Sequence, residues 1–139
     1  MKILLLYGAK ANVPNNQGLT ALHLILAARP PASIIEILIK EGQADVNAQD
    51  SKGDAALHKV AYSDRSLGNL FDVNIARILL MYGAKVDMSN LEGNTPLHIA
   101  IESRQDMKEA LFFFCNEGHA NVNAQNKAGD SPFTLTSKF

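Results

Sequence analysis

The sequence predicts an all-α fold in which short helix pairs stack side by side into a solenoid. One observation is a repeat, because glycines suited to tight turns occur at residues 18, 53, 93 and 129, with spacings of 35, 40 and 36. A second is that a helical pattern follows each glycine, and another helical pattern follows the first three. A period of this size is typical of stacked supersecondary units. We therefore expect a single repeat domain over residues 1–139.

The composition is that of one globular domain, with 47% apolar and 19% charged residues. The 13 basic and 14 acidic residues form no long blocks, which argues against binding to nucleic acid or to an anionic membrane. The one cysteine, Cys115, cannot form an internal disulfide, so we expect a reducing compartment, the cytoplasm or alternatively the nucleus. No run approaches the roughly 18 apolar residues of a membrane span, so no membrane insertion is expected.

The repeat divides the chain into three full units between two partial ones. Each full unit is expected to hold a turn followed by two helices. The units are a partial N-terminal unit at residues 1–14, full units at 15–49, 50–89 (with an insertion at 63–71) and 90–125, and a partial C-terminal unit at 126–139.

Each full unit is predicted to open with a turn and a short first helix. The clearest case is Gly93-Asn94-Thr95-Pro96-Leu97-His98, where glycine suits the turn, the threonine hydroxyl can cap the helix and proline fits the first helical position. Thr20 is the expected N-cap of the corresponding helix over residues 20–26, which Pro30 stops.

The second helices are predicted from capping residues before them and glycines after them. A leading helix over residues 1–7 is predicted in the same way from the glycine that closes it. The caps and closing glycines are Ser33 with Glu36 and Gly42 for the first, Asp72 and Gly83 for the second, Asp106 and Gly118 for the third, and Gly8 for the leading helix.

The repeated residues resemble the ankyrin repeat along the whole chain. The similarity lies in Thr20-Ala21-Leu22-His23, in Thr95-Pro96-Leu97-His98 and in the Val-Asn-Ala segments within residues 44–48 and 120–124. The spacings exceed the family period of 33 by 2, 7 and 3, and we place the additional residues in loops. The resemblance implies a hairpin-like turn and two antiparallel helices in each unit, stacked so that every unit covers the apolar face of its neighbour.

Stacking of this kind gives each unit equivalent core positions. Truncating one of these side chains should cost about 2–5 kcal/mol of stability. The expected core residues are Leu22, Leu57, Leu97 and Phe133 from the first helices, and Ile37, Leu38, Ile78, Leu79, Phe113 and Phe114 from the second helices.

Histidines 23, 58 and 98 recur at one repeat position and are interpreted as structural. Neighbouring helices pack roughly 8–10 Å apart, whereas two nitrogens on one zinc lie within roughly 4 Å, so a shared metal site is not expected. The resemblance implies that each imidazole ties its turn together through the backbone and the threonine hydroxyl. Ala55 lacks this hydroxyl, so the unit of His58 is expected to be the least well capped.

No arrangement of residues predicts catalysis or a cofactor. The sequence contains no glycine-rich phosphate loop, its carboxylates are scattered, and Ser63-Asp64 near His58 lacks a nucleophile elbow. Cys115 lies in an apolar helix and is expected to be a small buried side chain. We therefore expect neither an enzyme nor a bound cofactor or metal.

The resemblance implies that a partner protein binds the concave face, which the turn tips and the exposed side of the first helices form. Leu19 and Leu91 are apolar where solvent favours polar side chains, and Tyr62 adds a ring with a hydroxyl, so a small apolar centre with a polar rim is expected. The alternative is that these side chains are scattered and without function. The expected partner-binding residues are Asn16, Gln17, Leu19, Ser51, Lys52, Asp54, Tyr62, Ser63, Leu91, Glu92, Asn94, Glu102, Ser103, Lys127 and Asp130.

The insertion is too apolar for a solvated loop, because it contains Leu67, Leu70 and Phe71. We favour packing against the adjacent helices, with direct contact to a partner as the alternative. Asn47 and Asn123 are expected to anchor the long turns through bonds to the backbone, and the resemblance also allows hydroxylation of these asparagines.

These observations predict a protein-interaction module that acts as an adaptor or scaffold. The alternative is an ankyrin segment of a larger protein whose activity, as an enzyme, channel or degradation adaptor, lies outside this chain. Both end units lack half of a helix pair, so we expect either a fragment or short isoform of a longer array, or self-association that covers the exposed edges.

Overall fold

The computed structural model describes residues 2–62, 71–103 and 107–139, and all regular structure within these ranges is helical. The prediction of an all-α fold is therefore confirmed. The helices are α1 (Lys2–Leu6), α2 (Ala21–Ala27), α3 (Ala32–Lys40), α4 (Ala56–Ala61), α5 (Val73–Met81), α6 (Pro96–Ser103), α7 (Met107–Phe112), which continues as a π-helical turn at Phe113–Glu117, and α8 (Pro132–Thr136).

The helices form two layers. Helices α2, α4, α6 and α8, each the first of its unit, contact one another in that order and make one layer. Helices α3, α5 and α7 make the other layer, and each packs on the first helix of its own unit. The chain is thus a solenoid in which every unit covers its neighbour, as expected of short helices that cannot bury an apolar face alone.

The core lies between the two layers and contains most of the predicted side chains. Leu22 and Leu57 are 1% exposed, and Leu97 is fully buried. The second helices contribute the predicted Leu38, Ile78, Leu79, Phe113 and Phe114, all buried, whereas Ile37 is half-buried.

Phe133 does not belong to this core, because its side chain is 69% exposed. The equivalent Leu97 lies on α6, which is flanked by its own second helix α7 and by α8 of the next unit. No second helix follows α8 in this chain, so Phe133 has no such cover. The prediction for Phe133 is wrong for this reason.

Three predicted caps precede their helices as expected, namely Thr20, Asp72 and Thr95, which stands directly before α6. Thr20 is the N-cap of α2, and the Asp72 carboxylate accepts the Asn74 and Ile75 N–H groups at the start of α5, at 3.0 and 3.1 Å. The capping box at Ser33 is wrong: α3 begins at Ala32 with Pro31 as its N-cap, so Ser33 is already inside the first turn. The predicted cap Asp106 lies outside the described residues.

The helix ends show two geometries. Gly8 and Gly83 take the predicted left-handed conformation, with φ of 86° and 90°. Gly42 and Gly118 do not, because the left-handed residue is the next one, Gln43 or His119, each with φ of 52°. A side chain at Gly118 would place its Cβ 2.8 Å from the Val86 side chain, which explains glycine there.

Candidate partner-binding site

Each turn is built around an Asn or Asp that sequence reasoning did not single out. In the third full unit, residues 90–125, Asn90 Oδ1 accepts the N–H groups of Glu92 and Asn94, both at 3.0 Å. Asn15, Asp50 and Asn126 accept the corresponding pairs in the other turns. The signal was present in the sequence, because an Asn or Asp stands three residues before each turn glycine.

Backbone hydrogen bonds stack these turns into a continuous row. Ser51 N–H donates to the Gln17 carbonyl, Leu91 N–H to that of Lys52, and Lys127 N–H to that of Glu92, each at 3.0 Å. A Cβ on Gly53 would lie 2.7 Å from the Leu91 nitrogen, so this close approach requires glycine. The predicted turn-tip residues therefore lie side by side in neighbouring units.

The repeated histidines join each turn to the next unit. His98 Nδ1 accepts the Thr95 N–H at 3.1 Å and lies 2.9 Å from the Thr95 hydroxyl, while its Nε2 lies 3.0 Å from the Asp130 carbonyl. A backbone N–H can only donate and a carbonyl can only accept, so Nδ1 is unprotonated and Nε2 donates. The predicted structural role is confirmed, and the link to the next unit extends it.

His58 makes the same link with one bond fewer. Its Nδ1 accepts the Ala55 N–H at 3.1 Å, and its Nε2 donates to the Asn94 carbonyl at 2.9 Å. Burial lowers the pKa of His58 below its usual 6.5, although the Asn94 carbonyl and the nearby carboxylates act in the opposite direction. The neutral imidazole is therefore the form that fits this turn.

Two predicted partner-binding side chains are buried between the turns. Asp54 and Asn94 are 2% and 4% exposed. Asp54 Oδ1 accepts from Asn90 Nδ2 at 2.9 Å, and Asn94 Oδ1 accepts from Asn126 Nδ2 at 2.8 Å. Their side chains hold adjacent turns together, which corrects their assignment to the exposed partner-binding surface.

A hollow of about 350 Å³ lies between the turn at residues 50–53 and the turn at residues 90–93, which are the second and third turns of the row. Six residues that were predicted to bind a partner line it. Two apolar side chains stand exposed in it, Tyr62 at 48% and Leu91 at 61%. We name this feature the Tyr62–Leu91 hollow; its lining is Ser51, Lys52, Asp54, Tyr62, Asn90, Leu91 and Glu92.

The Tyr62–Leu91 hollow has an acidic character. Burial raises the pKa of the Tyr62 hydroxyl above its usual 10.0, and the carboxylates of Asp54, Glu92 and Glu102 raise it further. Lys59 Nζ lies 2.7 Å from Asp50 and 3.6 Å from Asp54, so these two carboxylates are paired. The Tyr62 hydroxyl is therefore a protonated hydrogen-bond donor at neutral pH.

Five other predicted residues lie in the first and fourth turns of the same row, outside the lining of the hollow, and Ser103 ends α6. Asn16, Gln17 and Lys127 are exposed, while Leu19 is half-buried. Asp130 is half-buried and forms an ion pair with Lys138 at 2.8 Å. Half-buried Ser103 donates its hydroxyl to the Ala100 carbonyl at 2.9 Å, and Ser63, Leu67 and Leu70 lie outside the described residues.

Phe71 packs inside the molecule, as the favoured alternative for the insertion predicts. Its side chain is 6% exposed, and its ring centroid lies 5.7 Å from those of Phe113 and Phe114. Aromatic pairs at this separation interact favourably beyond the burial of their area. Direct partner contact by Phe71 is therefore excluded by its burial.

The two asparagines of the long turns differ in their bonding. Asn47 Nδ2 donates to the Gly83 carbonyl at 3.0 Å, and its Oδ1 accepts the Lys85 N–H at 2.8 Å, so it anchors the next unit as predicted. Asn123 is exposed, and its side chain makes no such bond within the described ranges. Hydroxylation of either asparagine stays a prediction.

The described residues hold no group of three or more His, Cys, Asp or Glu side chains that could bind a metal ion. Cys115 is half-buried, and burial raises the pKa of its thiol, which favours the less reactive protonated form. Within the same ranges, no helix has the length and apolar character needed to cross a bilayer.

Stacked helix pairs whose turns form a hydrogen-bonded row define a repeat protein with an extended surface. The family model that describes three copies of the ankyrin repeat matches residues 1–90 and 33–126. This chain therefore belongs to the ankyrin repeat family, as its resemblance to that repeat implies, and its fold is an ankyrin solenoid.

The relatives that share this region include two NF-kappa-B p105 subunits. The chain is 39% identical over 91 residues to the nuclear factor NF-kappa-B p105 subunit of Gallus gallus, an alignment that covers 64% of this chain and 8% of that protein. It is 37% identical over 89 residues to the p105 subunit of Mus musculus, covering 63% of this chain and again 8% of that protein. The chain thus spans a small part of the length of these relatives.

Proposed function

We propose that this chain binds a partner protein through the Tyr62–Leu91 hollow and the turn tips beside it. Ankyrin repeats are generally protein–protein interaction modules. The observation that carries the proposal is that Tyr62 and Leu91, which come from different units, stand exposed in one hollow with polar groups around them. An apolar centre inside a polar rim is the usual anatomy of a protein interface. A role as adaptor or scaffold, in the cytoplasm or the nucleus, is part of the same proposal.

The fold supports this proposal because it does not use these two side chains. The stacking of the second and third turns relies on backbone groups and on the side chains of buried Asp54 and half-buried Asn90. The exposed fractions, 48% for Tyr62 and 61% for Leu91, leave about half or more of each residue's surface available to a partner. Their replacement should therefore change binding far more than stability.

The test is affinity capture from an extract with the chain and its Tyr62→Ala/Leu91→Ala variant. We expect at least tenfold weaker capture, because buried aromatic and apolar anchors at an interface contribute about 2 kcal/mol or more each. Met81→Ala is the control, since Met81 is 78% exposed on α5 in the other helix layer. Thermal unfolding of all three proteins checks the fold. Unchanged capture by the double variant would mean that the partner binds elsewhere.

A second candidate is that the chain acts as the ankyrin segment of a larger protein whose activity lies outside these residues. It is favoured by one observation, since the matched region is 8% of p105, a protein named as a subunit of a nuclear factor. An antibody against this chain separates the candidates by immunoblot. A single band near 15.1 kDa would exclude the second candidate, and a larger band alone would support it.

A further inference from the structure

The Tyr62–Leu91 hollow has unbalanced charge, which indicates the chemistry of its partner. Glu92 lines it, and Glu102 is close enough to act on the Tyr62 hydroxyl. Both side chains are exposed, and neither forms an ion pair with the residues that the structure describes. In contrast, Asp50 and Asp54 are already neutralised in part by Lys59.

The count of charges around the hollow gives the same result. The carboxylates are those of Asp50, Asp54, Glu92 and Glu102, and the ammonium groups are those of Lys52 and Lys59, so the described groups carry two more negative than positive charges. An acidic partner would add to this excess, and a neutral one would leave it uncompensated. A basic partner would remove it.

The apolar surface of the hollow fits the same kind of partner. The Tyr62 ring can receive a cation over its face, and Leu91 offers aliphatic area beside it. Arg and Lys side chains combine a cationic head with an apolar stem, so they match both features at once. A volume of about 350 Å³ suits a short stretch of side chains and not a folded domain.

We propose that the Tyr62–Leu91 hollow binds a basic segment of the partner protein, with an Arg or Lys facing Glu92 and Glu102 and a neighbouring apolar side chain on Leu91. This inference rests on the proposed function, because it names the partner chemistry of the same site. The contacts are exposed to solvent, so salt should weaken the charged part of the interaction.

The experiment selects a phage-displayed library of random dodecapeptides on the whole chain and measures the affinity of the enriched peptides. We expect enrichment of Arg or Lys beside an apolar residue. Glu92→Lys should weaken the enriched peptide about fivefold to tenfold, because a favourable charge contact becomes a repulsive one. The control Glu109→Lys makes the same charge change at an exposed position of α7 and should change affinity less than twofold.

The outcomes separate the two proposals. Enriched peptides without basic residues, or basic peptides that Glu92→Lys and Glu109→Lys affect equally, would overturn the inference. If Leu91→Ser still weakens those peptides, the proposed function stands. If neither Glu92→Lys nor Leu91→Ser matters, or no peptide is enriched, both proposals fail. Glu102→Gln, which changes a carboxylate beside the hollow, replaces Glu92→Lys if that variant does not fold, and it should weaken basic peptides about twofold to threefold.

Discussion

The second and third turns occupy equivalent places in neighbouring units, yet different chemistry holds them. Asn90 donates an amide hydrogen to Asp54 of the preceding turn. Asp50 has no such hydrogen to donate, and the preceding turn offers Leu19 where an acceptor would be needed. The second oxygen of Asp50 therefore binds Lys59 at 2.7 Å, whereas the residue equivalent to Lys59 in the third unit is the buried Ile99.

The residues directly before α4 and α6 differ as well. Thr95 bonds to His98 through both its N–H and its hydroxyl, whereas Ala55 offers His58 only its N–H. The turn of the third unit is thus held by hydrogen bonds that the uncharged Asn90 and Thr95 make, whereas the turn of the second unit uses the Asp50–Lys59 ion pair. The comparison teaches that one repeat geometry tolerates both solutions, and the second unit is expected to respond to charge and pH through its ion pair and His58.

The largest effect is expected from Lys59→Ile, which gives the second unit the apolar residue of the third. The side chains of Asp50 and Asp54 are 4% and 2% exposed, so loss of their cation leaves two nearly buried carboxylates close together. We expect a loss of about 2–3 kcal/mol in urea unfolding, below the usual cost of breaking a fully buried pair because Lys59 is partly exposed.

The matched control adds Asp50→Asn to Lys59→Ile and should recover at least half of that loss, because the second turn then resembles the third. A loss below about 0.5 kcal/mol for the single variant would show that the ion pair is not what holds this turn.

A smaller, reciprocal effect is expected from exchanging the helix caps. Thr95→Ala should destabilise the protein by about 1 kcal/mol, and Ala55→Thr should stabilise it by up to about the same amount. The backbone at Ala55, with φ of −92° and ψ of 177°, is close to that of Thr20, with −85° and 172°, so threonine causes no backbone strain there. Urea midpoints measure both changes. Destabilisation by Ala55→Thr would contradict the equivalence of the two caps.

The smallest effect is the pH dependence that His58 adds. Its pKa in the folded protein lies below the 6.5 of the unfolded chain, so unfolding takes up a proton in acid. Its stabilising contribution is complete above pH 6.5 and is lost as the pH falls below that value toward the folded pKa. Urea unfolding at intervals from pH 7.5 to pH 5 should show this decline, and His58→Gln should flatten it. An equal slope in both proteins would exclude His58 as the cause.

Much of the fold could be predicted because local residues specify it. The turn glycines, the threonine caps and the Asp72 cap act within four residues of their own position, so the sequence displays them directly. Three of the wrong predictions have a different cause. Phe133 and the side chains of Asp54 and Asn94 depend on which neighbour covers them, and that neighbour is 30 or more residues away or not in the chain.

Only part of the candidate site could be predicted, because the sequence displays local features and not contacts between distant residues. Turn-tip positions such as Ser51, Lys52 and Glu92 follow from the resemblance of each repeat to the ankyrin repeat. The union of Tyr62 with Leu91 in one hollow does not, because Tyr62 ends a helix in one unit and Leu91 opens the turn of the next.

The sequence by itself determined the repeat, the helix pairs and the family, because turns and caps are local and recur at a fixed period. Only the tertiary structure decided which polar side chains lie between the turns and which remain on the surface. The physical reason is that stacking brings neighbouring turns within hydrogen-bonding distance, so Asp54 and Asn94 must satisfy their polar atoms inside the stack. Tyr62 and Leu91, which the stack does not cover, are left to face a partner in the proposed site.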